Sequence, residues 1–340
     1  MEVLSPNLPV SEEVGLLKGV DRLKIGIDIG YGYVKAINDE GQKISFPAMI
    51  APSGNGLGLG DVFKDTVEYQ VTIDQSKYMV GDAAKQSFLA TQTMSREKPP
   101  KIHDPLLLTA AHLLSGDDDR LEIGVGLPLA YYSAQKGSLK NRLQNLKADV
   151  IIEDKHKHIS FDRVDVFPQG AGVLLCCQSM LPFSGYVGLI DIGTYTTEYI
   201  LFQMKSGRPI PILEASGSVE AGVHLVYSAV AREFQNKTGS PLPAEMEAAV
   251  TEKSLRGEQI TFDGQKHMLD AIQAREDVAL VICQKVLSAW GNRTGHIETT
   301  LLAGGGALFF RQSLKGFPGQ YIVQDPFFAN ARGYLGFIIG

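Results

Sequence analysis

The sequence predicts a duplicated α/β fold in two domains, with a phosphate-binding cleft formed where the two copies face each other. Three observations carry that expectation. One pattern occurs twice, 163 positions apart (191 − 28): Leu23-Lys-Ile-Gly-Ile-Asp28-Ile-Gly30-Tyr-Gly32-Tyr-Val-Lys35 and Leu189-Ile-Asp191-Ile-Gly193-Thr-Tyr-Thr-Thr197. The chain has 340 residues, long for one domain and comfortable for two cores. Near its end a strand-like run, Thr299-Thr-Leu-Leu-Ala303, enters three consecutive glycines, Gly304, Gly305 and Gly306.

In each copy of the repeat an alternating apolar strand ends in Asp, turns through Gly with small or hydroxyl residues, and leaves as a second apolar strand. Each copy therefore reads as a glycine-turned β-hairpin. Such a turn aims consecutive backbone N–H groups into one concavity, and Gly admits the close approach that a phosphate chain requires. Two of them face to face would clamp one polyphosphate. Asp28 and Asp191 would then face a bound Mg²⁺ through its waters, since a hard cation takes carboxylate and water oxygens alongside phosphate. Lys35, leaving the first loop, either supplies a fixed positive charge there or alternates out to solvent.

The remaining elements follow in order. Strand-like segments at about 43–50 and 67–80 flank a polar, glycine-rich piece at 53–60, expected as a loop on a small subdomain. Residues 105–114 carry helical spacing, and 121–127 read as a buried strand stopped by Pro128. A mostly polar helix is expected over 132–147, then a strand at 164–167, a break at Pro168, and an apolar helix from Gln169 to the turn at 182–185. Past the second hairpin, helices are expected near 219–236, 243–255 and 269–290. The triple glycine opens a helix N-terminus and is a third nucleotide-contact candidate. The tail at 333–340 reads as a buried strand or helix end.

Composition removes several function classes. Apolar residues make up 44%, charged residues 21%, and the net charge is −6 with no block of Lys or Arg, so direct nucleic-acid binding is not expected. The first twenty residues carry Glu2, Glu12 and Glu13 but one Lys, which fits neither a signal peptide nor a basic membrane-seeking helix, so a cytoplasmic protein is expected. No apolar run approaches the roughly 20 residues that cross a bilayer. Cys176, Cys177 and Cys283 make no C-x-x-C pair and suit a reducing compartment as buried, neutral thiols. His156 and His158 lack further ligands at metal spacing, and Asp117, Asp118 and Asp119 lack the calcium-loop pattern, so both read as solvated. Gly26, Gly30 and Gly32 do not have the dinucleotide-fold spacing, and no Gly-Lys-Ser/Thr marks a P-loop.

Two phosphate hairpins, a helix starting at Gln169 between the halves, and a late strand followed by three glycines resemble, in that order over nearly the whole chain, the actin-like ATPase superfamily. Within it the sequence looks most like ParM-type plasmid-segregation proteins, with Tyr78-Met-Val-Gly81-Asp-Ala-Ala84 and Gly124-Val-Gly-Leu-Pro128-Leu similar to their first-domain segments. The resemblance implies an actin-like, ribonuclease H-like duplicated fold with a nucleotide cleft between the domains. Domain I would take 1–185, with 325–340 returning to it and a small subdomain at about 43–115; domain II would take 186–324. It also implies site roles. Asp28, Gly30, Tyr31, Gly32 and Lys35 would form the first phosphate loop, and Asp191, Gly193, Thr194, Tyr195 and Thr196 the second. Gly304, Gly305 and Gly306 would pass beside the adenosine, and Glu220 and Gly222 would contact the ribose or purine. Gln169 would orient the attacking water at the first inter-domain crossing, and 330–336 would make the second crossing. ParM-type members often carry Glu where this chain has Gln169, as actin itself carries Gln.

The implied cofactors are ATP/ADP and Mg²⁺, and the implied activity is ATP hydrolysis coupled to polymerisation into a filament that moves plasmid DNA through a DNA-bound adaptor of ParR type. The alternative within the fold is a small-molecule phosphotransferase of the sugar or acetate kinase kind. It would need a general base for the acceptor hydroxyl, and the nearby candidate, Asp39 after the first hairpin, reads as part of a β-turn. A scaffold that has kept the fold without catalysis also stays open.

Overall fold

The computed structural model describes residues 22–53, 68–85, 91–92, 99–117 and 120–340. The glycine-rich piece at 54–60, Asp118 and Asp119, and the first twenty residues lie outside these. The first half comprises β1 (Arg22–Ile29), β2 (Tyr33–Asn38), β3 (Lys43–Pro47), β4 (Met49–Pro52), β5 (Glu68–Ile73), β6 (Ser76–Gly81), α1 (Asp82–Lys85), β7 (Thr91–Gln92), α2 (Pro100–Leu114), β8 (Arg120–Leu127), α3 (Leu129–Gln144), β9 (Lys147–Ile152), β10 (Lys155–Pro168) and α4 (Ala171–Cys176). The second half comprises β11 (Gly185–Ile192), β12 (Thr197–Lys205), β13 (Arg208–Val219), α5 (Val223–Thr238), α6 (Glu247–Leu255), β14 (Ile260–Phe262), β15 (Gln265–His267), α7 (Ala271–Trp290), β16 (Ile297–Ala303), α8 (Ala307–Phe310), β17 (Gln320–Ile322) and α9 (Ala329–Ile339).

The duplication seen in the sequence is a duplication of sheets. In the first half the order β3-β2-β1-β8-β10 is antiparallel from β3 to β1 and parallel from β1 to β10. In the second half β13-β12-β11-β16-β17 repeats that sense strand for strand. The central strands are covered on both faces: in the first sheet Ile25, Ile27, Ile123 and Val125 are buried on one face while Gly26 and Gly124 meet α9 on the other, and in the second Leu189, Ile190, Leu301 and Leu302 bury apolar side chains on both.

The small subdomain differs from the expected 43–115. β10 is 14 residues long and bends: its last residues pair with β8, whereas 155–160 pair with β9, which continues through β5, β6 and β4 to β7. The subdomain sheet thus draws in 147–160, while β3 stays beside β2. The helix expected from Gln169 is also shorter. Gly170 begins it in a left-handed conformation (φ +86°), and α4 ends after six residues. A side chain at Gly170 would lie 2.7 Å from both Ile200 and Leu189, so Gly is required by space as well as by φ.

The tail is a helix. α9 crosses β1 and β8 so closely that a Cβ on Gly26 would lie 2.0 Å from the Ala331 carbonyl oxygen. It also crosses α4 backbone to backbone, since a Cβ on Gly333 would lie 2.1 Å from Gly172 Cα. α4 in turn packs on the second half, where Val173 and Leu174 share a core with Val187, Leu189 and Ile200. Among the described residues no helix is long and apolar enough to cross a membrane.

Candidate functional site

Both hairpin turns close the same way. Gly30 N–H donates to the Tyr33 carbonyl at 3.0 Å, and Gly193 N–H to the Thr196 carbonyl at 2.8 Å. Register then fixes what faces what: Asp28 pairs with Lys35 across β1 and β2, and Asp191 pairs with Glu198 across β11 and β12. The two turns meet, because a Cβ on Gly32 would fall 2.2 Å from Thr194 Oγ1. Between them opens a cleft of about 840 Å³.

At its floor Lys35 Nζ donates to Asp28 Oδ2 at 2.6 Å and lies 5.4 Å from the Phe327 ring centre. Both partners are nearly enclosed, with side-chain exposures of 14% and 4%. Burial pulls the Lys35 pKa down, but Asp28, Asp191 and Glu198 outweigh it and hold the ammonium above its ordinary value. Asp191 is also raised, which for a carboxyl favours the neutral form. Its carboxyl is pushed up to about 6, first by burial and then by Asp28, against the lowering effects of Lys35 and of Asn330. Asn330 Nδ2 donates to Asp191 Oδ2 at 2.8 Å, while its Oδ1 accepts the Gly170 N–H at 3.0 Å, so one side chain ties α9, the start of α4 and the second hairpin.

The triple glycine closes one wall. Gly306 N–H donates to the Ile192 carbonyl at 2.8 Å, and Gly304 takes φ +82° with no room for a Cβ, which would sit 2.4 Å from Asp191 Oδ1. Farther out, Val223, Tyr227, Ala248, Glu252, Leu308 and Phe309 line an aromatic and apolar end.

Most of the residues singled out by sequence therefore converge. Asp28, Gly30, Tyr31, Gly32, Lys35, Gln169, Asp191, Gly193, Thr194, Tyr195, Thr196, Gly304, Gly305 and Gly306 all line this one cleft. Glu220 does not; its side chain is exposed at the end of β13. Gly222 sits behind the second loop, where a Cβ would strike the Thr194 and Gly193 carbonyl oxygens at 2.5 and 2.7 Å. Lys35 faces inward rather than solvent. The lining residues that sequence reasoning did not assign to the site include Glu198, Asn330, Phe327 and Tyr227. The signal for Glu198 was present, since it stands 163 positions after Lys35 (198 − 35) in the repeat.

The donor set suits a hard cation. Asp28, Asp191 and Glu198 line the cleft beside one ammonium, and burial, more than neighbouring charge, holds the Asp191 carboxyl at about 6. Among the described residues no group of three or more His, Cys, Asp or Glu is arranged to grip a metal directly, so contact through water is what these residues could offer. Cys176, Cys177 and Cys283 are free, and burial pushes their thiols up, Cys177 to about 11. His156 and His158 turn to Asp149 on the outer face of the subdomain.

Residues 26–172 match the family model described as the N-terminal domain of actin-like proteins, and 189–316 match that of the archaeal actin homologue MreB-like C-terminal domain. An archaeal actin homolog from Thermoplasma volcanium is 26% identical over 321 residues, spanning 91% of this chain and 97% of the relative. A subunit of a 15-stranded ParM filament from Clostridium botulinum is 28% identical, with a TM-score of 0.78 over 93% of this chain and 99% of that one. An archaeal actin homolog solved in complex with ADP shares the fold at 24% identity, with a TM-score of 0.78 over 93% of this chain and 99% of the other.

Proposed function

Because this chain is an actin-like protein, with an actin-like N-terminal domain followed by an archaeal MreB-like C-terminal domain, we propose that it binds and hydrolyses ATP and uses the nucleotide to time its assembly into filaments. The observation that carries this reading is the convergence of both glycine hairpins, the triple glycine and Gln169 on one cleft between the two sheets.

Phosphoryl transfer asks for a clamped γ-phosphate, neutralised charge and an aligned water. The two turns would hold the phosphate chain, with Lys35 as the fixed cation and the aromatic end taking the base. Mg²⁺, held through waters by Asp28 and Asp191, would supply charge neutralisation at the β- and γ-phosphates. Gln169, buried at the start of the first crossing, would position the attacking water without needing an unusual pKa. ATP would draw the halves together across α4 and α9, and loss of phosphate would let them part, which is how such a protein can couple turnover to subunit contacts. With a net charge of −6, DNA is indirect cargo, reached in the cytoplasm through a DNA-bound adaptor of ParR type. Similarity to a ParM filament subunit supports assembly, and plasmid segregation is the setting that the ParM-type resemblance implies.

The base named for the phosphotransferase alternative does not reach the cleft. Asp39 is held in the turn after β2, its N–H donating to the Lys24 carbonyl and its Oδ1 accepting the Lys24 N–H, and it does not line the cleft. The test is Gln169→Ala. It should bind ATP as the wild type does and hydrolyse it about 10² to 10³ times more slowly, the usual cost of removing one positioning group. Unchanged turnover would remove Gln169 from the mechanism, and absent ATP binding in the wild type would end the reading.

A further inference from the structure

Gln169 sits between two carboxylates. With its amide turned one way, Nε2 lies 3.4 Å from Asp28 Oδ1, beyond the range of a good N–H···O bond. Turned the other way, Nε2 donates to Glu198 Oε1 at 3.1 Å and Oε2 at 3.3 Å, and the amide oxygen then takes the side of Asp28 and its bound Lys35. The second orientation gives Nε2 the shorter bonds, to Glu198 rather than to Asp28. Glu198 is placed for this by register, since it faces Asp191 as Lys35 faces Asp28. One hairpin thus presents a cation to the cleft and its copy an acceptor.

We propose that Glu198 is the positioning residue of Gln169: it takes the amide N–H and so turns Oε1 toward the first hairpin, where it can accept a hydrogen from the attacking water. The proposal rests on the ATPase reading and deepens it. A neutral amide cannot choose its own orientation between two acceptors, and only one of its two ends can accept from water. Glu198 makes the choice, acting as a hydrogen-bond acceptor rather than as an acid, a base or a metal ligand.

The test measures single-turnover phosphate release and equilibrium ATP binding for Glu198→Met, Glu198→Gln, Gln169→Ala and the double variant Glu198→Met with Gln169→Ala. Methionine keeps the shape and removes the acceptor; glutamine keeps an acceptor oxygen without charge. The expected result is a loss of about 10²-fold in hydrolysis for Glu198→Met with ATP affinity within about threefold, recovery of most of that loss in Glu198→Gln, and no further loss in the double variant beyond Gln169→Ala alone. Three outcomes would overturn it: Glu198→Gln as slow as Glu198→Met, a multiplied loss in the double variant, or affinity falling in step with rate. Glu198→Ala repeats the comparison should the methionine variant fail to fold. A wild type that binds ATP without hydrolysing it would fail the ATPase reading itself and take this proposal with it, a result legible before any variant is made.

Discussion

Replacing Lys35 by Met removes the one cation that Asp28 touches among the described residues while leaving a side chain of similar length against Phe327. Breaking one side of an enclosed ion pair leaves an uncompensated charge, which costs roughly 3–5 kcal/mol where burial is complete. The cleft is open at its mouth, so the low end, about 3 kcal/mol, is expected at pH 8. The pH dependence carries a sign. Asp191 is held at about 6, above its unfolded value of 3.8, so its effect on stability is most favourable when it is protonated and worsens as pH rises from about 4 to 6. Lys35 is one of the groups holding that carboxyl down, so its loss moves the upper edge of the window beyond 6. The deficit of Lys35→Met should therefore be large at pH 8, shrink by half or more at pH 5, and shrink at pH 8 when Mg²⁺ replaces EDTA. Urea denaturation of both proteins at pH 5, 6.5 and 8, with each additive, reads all three. A deficit below about 1 kcal/mol at pH 8, or one that does not change with pH, would refute the picture of three carboxylates balanced by one ammonium.

Other perturbations test the crossing helices. Gly333→Ala drives a methyl to 2.1 Å from Gly172 Cα and should cost about 3 kcal/mol, the upper end for overpacking, because backbone faces it. Gly336→Ala on the same helix meets nothing within 4 Å and should instead stabilise by up to about 1 kcal/mol, so comparing the two melting curves separates space from helix propensity. Tyr334→Phe keeps the stack on Phe167 (5.7 Å, 10°) and removes a buried hydroxyl that has no hydrogen-bond partner among the described residues. Stability should hold or rise by about 1 kcal/mol, and a clear loss would show that the hydroxyl is satisfied after all.

The site was legible where chemistry is local to a strand and its turn. Asp28, Gly30 and Lys35, and their copies from Asp191 to Thr196, announce themselves because a period of two, a Gly turn and a carboxylate recur together. Gln169 and the triple glycine were found by their order along the chain. The return of 325–340 was expected from the resemblance, but the entry of the Asn330 and Phe327 side chains into the cleft was not, because it depends on how α9 and the segment before it pack across both sheets. Glu220 failed as a site residue for a related reason. The bend after β13 carries Gly222 to the second loop and leaves Glu220 facing outward, and side-chain direction at a bend does not follow from spacing. The subdomain boundary was missed because β10 is one continuous strand serving two sheets, and nothing in its apolar pattern marks where it changes partners.

The central claim, that nucleotide turnover times assembly, is tested most directly by recording right-angle light scattering and phosphate release together after Mg-ATP is added to the purified protein. The account predicts a rise in scattering that decays as phosphate appears, with Gln169→Ala rising as far and decaying far later. Phosphate release with flat scattering at high protein concentration would contradict it.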